Sequence, residues 1–181
     1  MRLSESVKPI VFLLALLIVP PLEAHNRSQS FSAWSFENKK LDLVFTVKSR
    51  EATRLQSIYE LNLEDSITTH ILETVKVAQG SGVCHLDKAL KPEARVVSLA
   101  NIALSVTFNC PLNLNSSMLN IEVGSFFGLI PSHTHFARIL FNNSLPMEYL
   151  FTDSNRVWEF YLQNNHNTKL SSRTFFNFMS L

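Results

Sequence analysis

The stretch LDLVFTVK (residues 41–48) decides the fold class of this chain, because its apolar side chains recur at every second position. A strand with that alternation buries one face and leaves the other in water. Residues 102–108 repeat the alternation, and Cys110 continues it in the inward phase. The pattern therefore predicts two long strands and places the sulfur of Cys110 inside.

Further short segments have strand composition and are bounded by turn residues such as Gly80 and Gly82. They are residues 31–36, 74–79, 83–86, 119–123, 133–141, 149–152 and 157–162. Only residues 63–72 show helical spacing of apolar side chains, with Asp65 or Ser66 near the start. Short strands at regular spacing predict an all-β fold, an immunoglobulin-like β-sandwich of about eight strands with one short helix.

The amino-terminal segment has the three parts of a secretion signal. Arg2 and Lys8 give a weakly basic start, residues 10–19 are apolar, and Ala24 is a small residue before the expected cut. A membrane span needs about 20 apolar residues, so an uncleaved anchor is the weaker interpretation. We therefore expect residues 1–24 to be removed and His25 to become the first residue.

Composition predicts one domain over residues 25–170. The 16 Lys and Arg residues nearly balance the 15 Asp and Glu residues, which gives a net charge of +1 and no sign of nucleic-acid binding. Residues 171–181 form an apolar tail, a possible start of a transmembrane helix in a longer parent protein.

Two cysteines, Cys84 and Cys110, are expected to form a single disulfide, because an exported chain enters an oxidising compartment. The alternative is a pair of metal thiolates.

The stretch PSHTHFAR (residues 131–138) is the strongest candidate for chemistry. In an extended strand, His133 and His135 lie on the same side and can converge on one metal ion. His25 is a possible third ligand, since a terminal histidine offers an α-amine and an imidazole to Ni, Co, Cu or Zn. The competing interpretation is that His133 and His135 decorate an exposed strand face and bind nothing.

The other histidines are weaker candidates. His70 on the predicted helix is expected at the boundary between core and solvent, and His166 in a polar loop is expected to be solvated. His85 follows Cys84, and strand neighbours point to opposite faces, so both would rarely bind one ion.

The sequence contains no Gly-x-Ser-x-Gly elbow, no Gly-rich phosphate loop and no His-Glu-x-x-His motif. We therefore expect no enzyme activity. An oxidative copper enzyme that uses the terminal histidine is a remote third interpretation.

Three stretches in order, HNRSQSFSAW (25–34), SREATRL (49–55) and PSHTHFAR (131–138), resemble the extracytoplasmic amino-terminal region of HupE/UreJ-type membrane proteins. That family is associated with nickel or cobalt handling in hydrogenase and urease maturation. The resemblance implies metal-related roles for His25, His133 and His135 and a membrane permease bundle, in a parent chain or a partner. The bundle and its intramembrane histidine and acidic residues are absent from this sequence.

The sequence thus predicts a transition-metal-binding or sensing domain at the periplasmic or extracellular face of the membrane. The alternative is a metal-free β-sandwich that binds a protein at the cell envelope.

Overall fold

The computed structural model describes residues 28–111, 118–140 and 146–161. The predicted signal segment 1–24, His25, His166 and the apolar tail lie outside these residues. Eleven strands are found in the described ranges: β1 (Gln29–Glu37), β2 (Lys40–Lys48), β3 (Val75–Gln79), β4 (Gly82–Val83), β5 (His85–Leu86), β6 (Glu93–Ser98), β7 (Asn101–Asn109), β8 (Met118–Val123), β9 (Thr134–Leu140), β10 (Met147–Phe151) and β11 (Val157–Tyr161).

The strands form two sheets. The large sheet has the order β10-β9-β1-β2-β7-β5, and β6 also pairs with β7. The small sheet has the order β11-β8-β3-β4. Among the described strands, β1 and β9 are the one parallel pair, and the other pairs are antiparallel.

One hydrophobic core joins both sheets and the helices. Leu41, Phe45 and Leu104 of the large sheet belong to the same buried cluster as Val77 and Ile121 of the small sheet. Two sheets that share a core form a β-sandwich-like fold, which confirms the predicted all-β class.

Two helices connect β2 to β3, whereas the sequence predicted one. Helix α1 (Ser49–Tyr59) was missed because it buries few apolar side chains, among them Ala52 and Leu55, so its apolar stripe is narrow. It ends at Glu60, which adopts a left-handed conformation with φ 56° and donates its N–H to the Gln56 carbonyl.

Helix α2 (Leu63–Thr74) starts where the sequence predicted and runs two residues further than residue 72. Its cap is Asn62, whose side-chain oxygen accepts the N–H of Asp65 at 2.9 Å. Glu64 and Asp65 lie in the first turn, where negative charge favours the helix.

The predicted disulfide is present. Cys84 and Cys110 are bonded, both residues are buried, and the loop between them spans 26 positions. Their Cα atoms are 4.2 Å apart. The bridge ties the β4–β5 junction to the end of β7.

Candidate functional site

The two histidines of PSHTHFAR lie on the same side of the chain, as the spacing predicts, and that side faces the core. His133 precedes β9 and is 1% exposed, and His135 on β9 is fully buried. The alternative in which both rings decorate an exposed strand face is therefore wrong. β9 and β1 are parallel neighbours in the large sheet, and His135 lies opposite Ser30 in their register. The inward-facing side chains of the two strands are therefore adjacent.

Three serines of the β1 segment alternate with the two imidazoles in a continuous series of hydrogen bonds, which we call the Ser/His ladder. Ser28 Oγ lies 2.7 Å from His133 Nδ1, and Ser30 Oγ lies 2.8 Å from His133 Nε2. Ser30 Oγ also lies 2.7 Å from His135 Nδ1, and Ser32 Oγ lies 2.8 Å from His135 Nε2. Every ring nitrogen of the pair thus has a hydroxyl partner.

Trp34 closes one end of the ladder. Its indole N–H donates to Ser32 Oγ at 2.8 Å, and an indole nitrogen cannot accept. Ser32 Oγ keeps a second lone pair, so its hydroxyl can either donate to His135 Nε2 or accept from it. We infer the first direction, in which His135 donates from Nδ1 to Ser30, and Ser30 donates to Nε2 of His133.

This direction places the proton of both imidazoles on Nδ1 and leaves the hydroxyl proton of Ser28, at the end far from Trp34, without an acceptor in the ladder. The opposite direction would instead leave the proton of Ser32, beside the buried Trp34, without one. Because the ladder ends at the donor-only nitrogen of Trp34, it cannot pass a proton through that end. The ladder therefore orients rings and joins β1 to β9, and it is not a proton conduit.

Burial keeps both imidazoles neutral. Removal from water lowers the pKa of His133 to about 4, and the nearby Glu51 carboxylate only partly opposes this effect. Burial lowers the pKa of His135 to about 3, and the neighbouring His133 lowers it further. The His135 ring also stacks on Phe45, with ring centroids 4.8 Å apart and planes at 11°. A neutral ring suits the ladder, since each imidazole must both donate and accept.

The two imidazoles converge on one point, which is the hydroxyl of Ser30. Nε2 of His133 and Nδ1 of His135 each lie within 2.8 Å of that oxygen. A transition metal binds imidazole nitrogen at about 2.0–2.1 Å, so a metal at this point would displace the Ser30 hydroxyl. Among the described residues, no group of three or more His, Cys, Asp or Glu side chains is placed to hold a metal ion.

A second histidine centre lies on α2. His70 is 7% exposed, so it belongs to the core rather than to the expected boundary. Its Nε2 accepts the backbone N–H of Phe126 at 3.2 Å, so its Nδ1 carries the proton and donates to the Tyr59 hydroxyl at 3.0 Å. Tyr59 in turn donates to Glu73 at 2.9 Å. Burial lowers the pKa of His70, and burial together with Glu73 raises the pKa of Tyr59 to about 12.

His85 is exposed while Cys84 is buried, so the two side chains lie on opposite faces as expected. The serines of the ladder were missed by the sequence analysis. The available signal was the alternation of Ser28, Ser30 and Ser32 before a tryptophan, which marks a polar inward face on a strand.

No family model matches this chain, and the curated proteins include no significant match to it. In the described part of the chain, none of the helices is long and apolar enough to cross a membrane.

The outward side of the large sheet carries a second feature, which sequence patterns did not single out. Phe31, Phe136 and Leu150 lie in one cross-strand row over β1, β9 and β10. Ala33 and Val44 are opposite each other in the adjoining row. We call these five exposed residues the apolar strip. Outward faces of such sheets are normally polar, so the strip is unusual.

Proposed function

We propose that this protein is an exported, immunoglobulin-like β-sandwich that binds a partner protein through the apolar strip. The observation that carries the proposal is the row of exposed apolar side chains on the open face of the large sheet. Phe31, Phe136 and Leu150 are 47%, 39% and 44% exposed. Contiguous apolar surface of this kind marks interaction sites on soluble domains.

The strip has the composition of a protein interface, with an apolar centre and a polar rim. In the row of Ala33, Arg138 faces Glu148 with a nitrogen–oxygen distance of 3.9 Å. Thr46 continues the row of Phe31 toward the centre of the sheet. An exposed ion pair contributes little stability by itself but can fix the orientation of a partner.

The aromatic rings favour a protein partner over a polysaccharide. Phe31 and Phe136 stack on each other, with centroids 5.5 Å apart and planes at 17°. Each ring therefore covers part of its neighbour's flat face, and those faces are not both free to stack on sugar rings. The spaces between the ring pair and the aliphatic side chains of Val44 and Leu150 suit apolar side chains of a protein.

The proposed partner is the extracytoplasmic surface of a HupE/UreJ-type membrane permease bundle. Two observations support this choice: the order of the three motifs along the sequence, and the Cys84–Cys110 disulfide, which fits an oxidising, exported compartment. The proposal gives the chain a binding role and no catalytic step.

The test measures binding of the exported, processed protein to a HupE/UreJ-type permease in nanodiscs by biolayer interferometry. Phe31→Ser and Phe136→Ser should each weaken binding at least about tenfold, because anchor aromatics dominate interfaces. Val157→Ser is the matched control, since Val157 is a strand residue of the small sheet and is 41% exposed. Equal binding by all four proteins, or no binding, would contradict the proposal. A dimer that dissociates only in the two Phe variants would instead make the strip an interface between copies.

A second candidate function is binding of Ni, Co, Cu or Zn by His133 and His135, with His25 as a third ligand. The observation that favours it is the convergence of two neutral imidazole nitrogens on Ser30 Oγ. The lowered pKa values keep both rings neutral at neutral pH, as metal binding requires. A neutral imidazole has one free nitrogen, so binding at this point also requires the His135 proton to move from Nδ1 to Nε2.

Calorimetric titration of the processed protein with Cu(II), Ni(II) and Zn(II) tests this second candidate. His133→Ala and His135→Ala should weaken binding at least about tenfold, whereas His85→Ala, which changes an exposed histidine, should not. Ser30→Ala should strengthen binding, because it removes the hydroxyl that occupies the point where the two nitrogens converge. Absence of binding by the wild type, or binding that survives loss of both histidines, would exclude the site.

A further inference from the structure

The turn between β6 and β7 exposes apolar side chains that do not belong to the apolar strip. We call residues 96–100 the hydrophobic tip; they read Val-Val-Ser-Leu-Ala, and all five are exposed. Leu99 is 103% exposed, Val96 64% and Val97 50%. Leu99 therefore projects fully into water, which is costly unless another apolar phase receives it.

Several backbone polar groups of the tip are already satisfied within the protein. The N–H of Ser49 donates to the Ala100 carbonyl at 2.8 Å, and the Ser49 hydroxyl reaches the Leu99 carbonyl at 3.5 Å. The Ser98 hydroxyl accepts the N–H of Ala100 at 3.3 Å. A turn with paired backbone groups can leave water at much lower cost than an open loop.

The same contacts hold the tip in place. Ser49 begins α1, so its two hydrogen bonds fasten the tip to the first turn of a helix that packs in the core through Ala52. These hydrogen bonds fix the position of the tip relative to α1.

The tip is poorly suited to strand pairing with another chain. The register of β6 against β7 is interrupted between Val96 and Ser98. Such irregularities break the row of backbone donors and acceptors that an added strand needs. A partner would therefore contact the side chains of the tip and not its backbone groups.

Cationic residues flank the tip in the sequence, in the sheet and on α1. Lys48 pairs across the sheet with Asn101, the first residue after the tip, and Arg95 immediately precedes it. Arg50 and Arg54 on α1 are 60% and 53% exposed. Both pair with the buried carboxylate of Glu51, and Glu93 lies two residues before Arg95, so the four cations outnumber these two acids.

We propose that the hydrophobic tip inserts into an anionic lipid surface. Leu99 and Val97 enter the boundary between headgroups and acyl chains, while Lys48, Arg50 and Arg95 contact lipid phosphates. Apolar insertion and basic flanks act together in peripheral membrane binding, and each basic side chain strengthens attraction to anionic lipid. This inference does not depend on the apolar strip or on its partner.

Co-sedimentation of the exported, processed protein with vesicles tests the inference. The vesicles are pure phosphatidylcholine, or phosphatidylcholine with 30% phosphatidylglycerol. We expect binding to the anionic vesicles, weaker binding to the neutral ones, and release as salt is raised. Leu99→Asp and Val97→Asp should each reduce binding at least about tenfold. Leu129→Asp is the control and should not reduce binding. Leu129 is an exposed leucine in another turn, with 42% of its surface accessible.

Three outcomes would overturn the inference. The first is failure of the wild type to bind either kind of vesicle. The second is equal vesicle binding by Leu99→Asp and the wild type. The third is a wild-type dimer in sedimentation equilibrium that Leu99→Asp dissociates while vesicle binding stays the same. The last outcome would assign the tip to contact between copies. Phe31→Ser should bind vesicles like the wild type, which separates this result from the test of the apolar strip.

Discussion

The indole N–H of Trp34 donates a 2.8 Å hydrogen bond to the hydroxyl of Ser32. Because the indole can only donate, this contact favours the direction of the Ser/His ladder in which Ser32 donates to His135. The direction matters for chemistry, since it decides which nitrogen of each imidazole keeps a lone pair.

The first prediction concerns the tautomers. In the wild type, His133 and His135 should both carry the proton on Nδ1, and long-range proton–nitrogen NMR spectra report this directly. Trp34→Phe removes the orienting donor, so the ladder can reverse and the free energy of unfolding should fall by about 1–2 kcal/mol. Protons on Nε2 of both rings in the wild type would contradict the assigned direction.

The second prediction concerns Ser30, which bridges the two rings. Ser30→Ala leaves one nitrogen of each buried imidazole without its partner and should lower the free energy of unfolding by about 2–4 kcal/mol. Ser35→Ala changes an exposed serine of the same strand and should alter stability by less than about 0.5 kcal/mol. Urea denaturation measures both. Equal effects would mean that the ladder adds nothing to stability.

The third prediction concerns acid. In the unfolded chain, both imidazoles protonate near their ordinary pKa of 6.5, but in the folded protein only near 4 for His133 and 3 for His135. The unfolded state therefore binds more protons, and stability that is complete above pH 6.5 is lost as pH falls. Between pH 6.5 and 4 the loss of stability comes from both histidines, and below pH 4 it comes from His135 alone.

Between pH 7 and pH 5 the loss should be roughly 2 kcal/mol for each histidine. Urea denaturation at the two pH values measures it. His133→Gln should reduce the pH dependence. A free energy of unfolding that is equal at pH 7 and pH 5 would refute the prediction.

The fourth prediction concerns the disulfide. Replacing both Cys84 and Cys110 by Ser should lower the free energy of unfolding by about 3.5 kcal/mol, the chain-entropy value for a loop of this length. Alkylation of the native exported protein without reductant should leave both sulfurs unmodified in the mass spectrum. Two alkylated cysteines would show that the bond is absent in the exported protein.

The fifth prediction concerns processing. The short apolar run and Ala24 predict that the exported protein begins at His25, which intact mass and amino-terminal sequencing determine. Retention of residues 1–24 would remove the terminal amine from the proposed metal ligands.

Much of the fold could be predicted from local pattern. Alternation located β2 and β7, helical spacing located α2, and the inward phase of Cys110 agreed with a buried disulfide. Strand β6 and helix α1 were missed, because β6 is almost entirely exposed and α1 has a narrow apolar face. Both elements depend on contacts with neighbours more than on their own periodicity.

For the candidate site, the sequence by itself determined that His133 and His135 share a side, because a strand has a period of two. Only the tertiary structure decided that this side faces the core and meets the serines of β1, which lie 103 to 105 positions away in sequence. Periodicity specifies which residues share a face but not which strand becomes the neighbour. That choice depends on long-range packing, and here the parallel pairing of β1 with β9 turns two histidines into a buried, serine-bonded ladder.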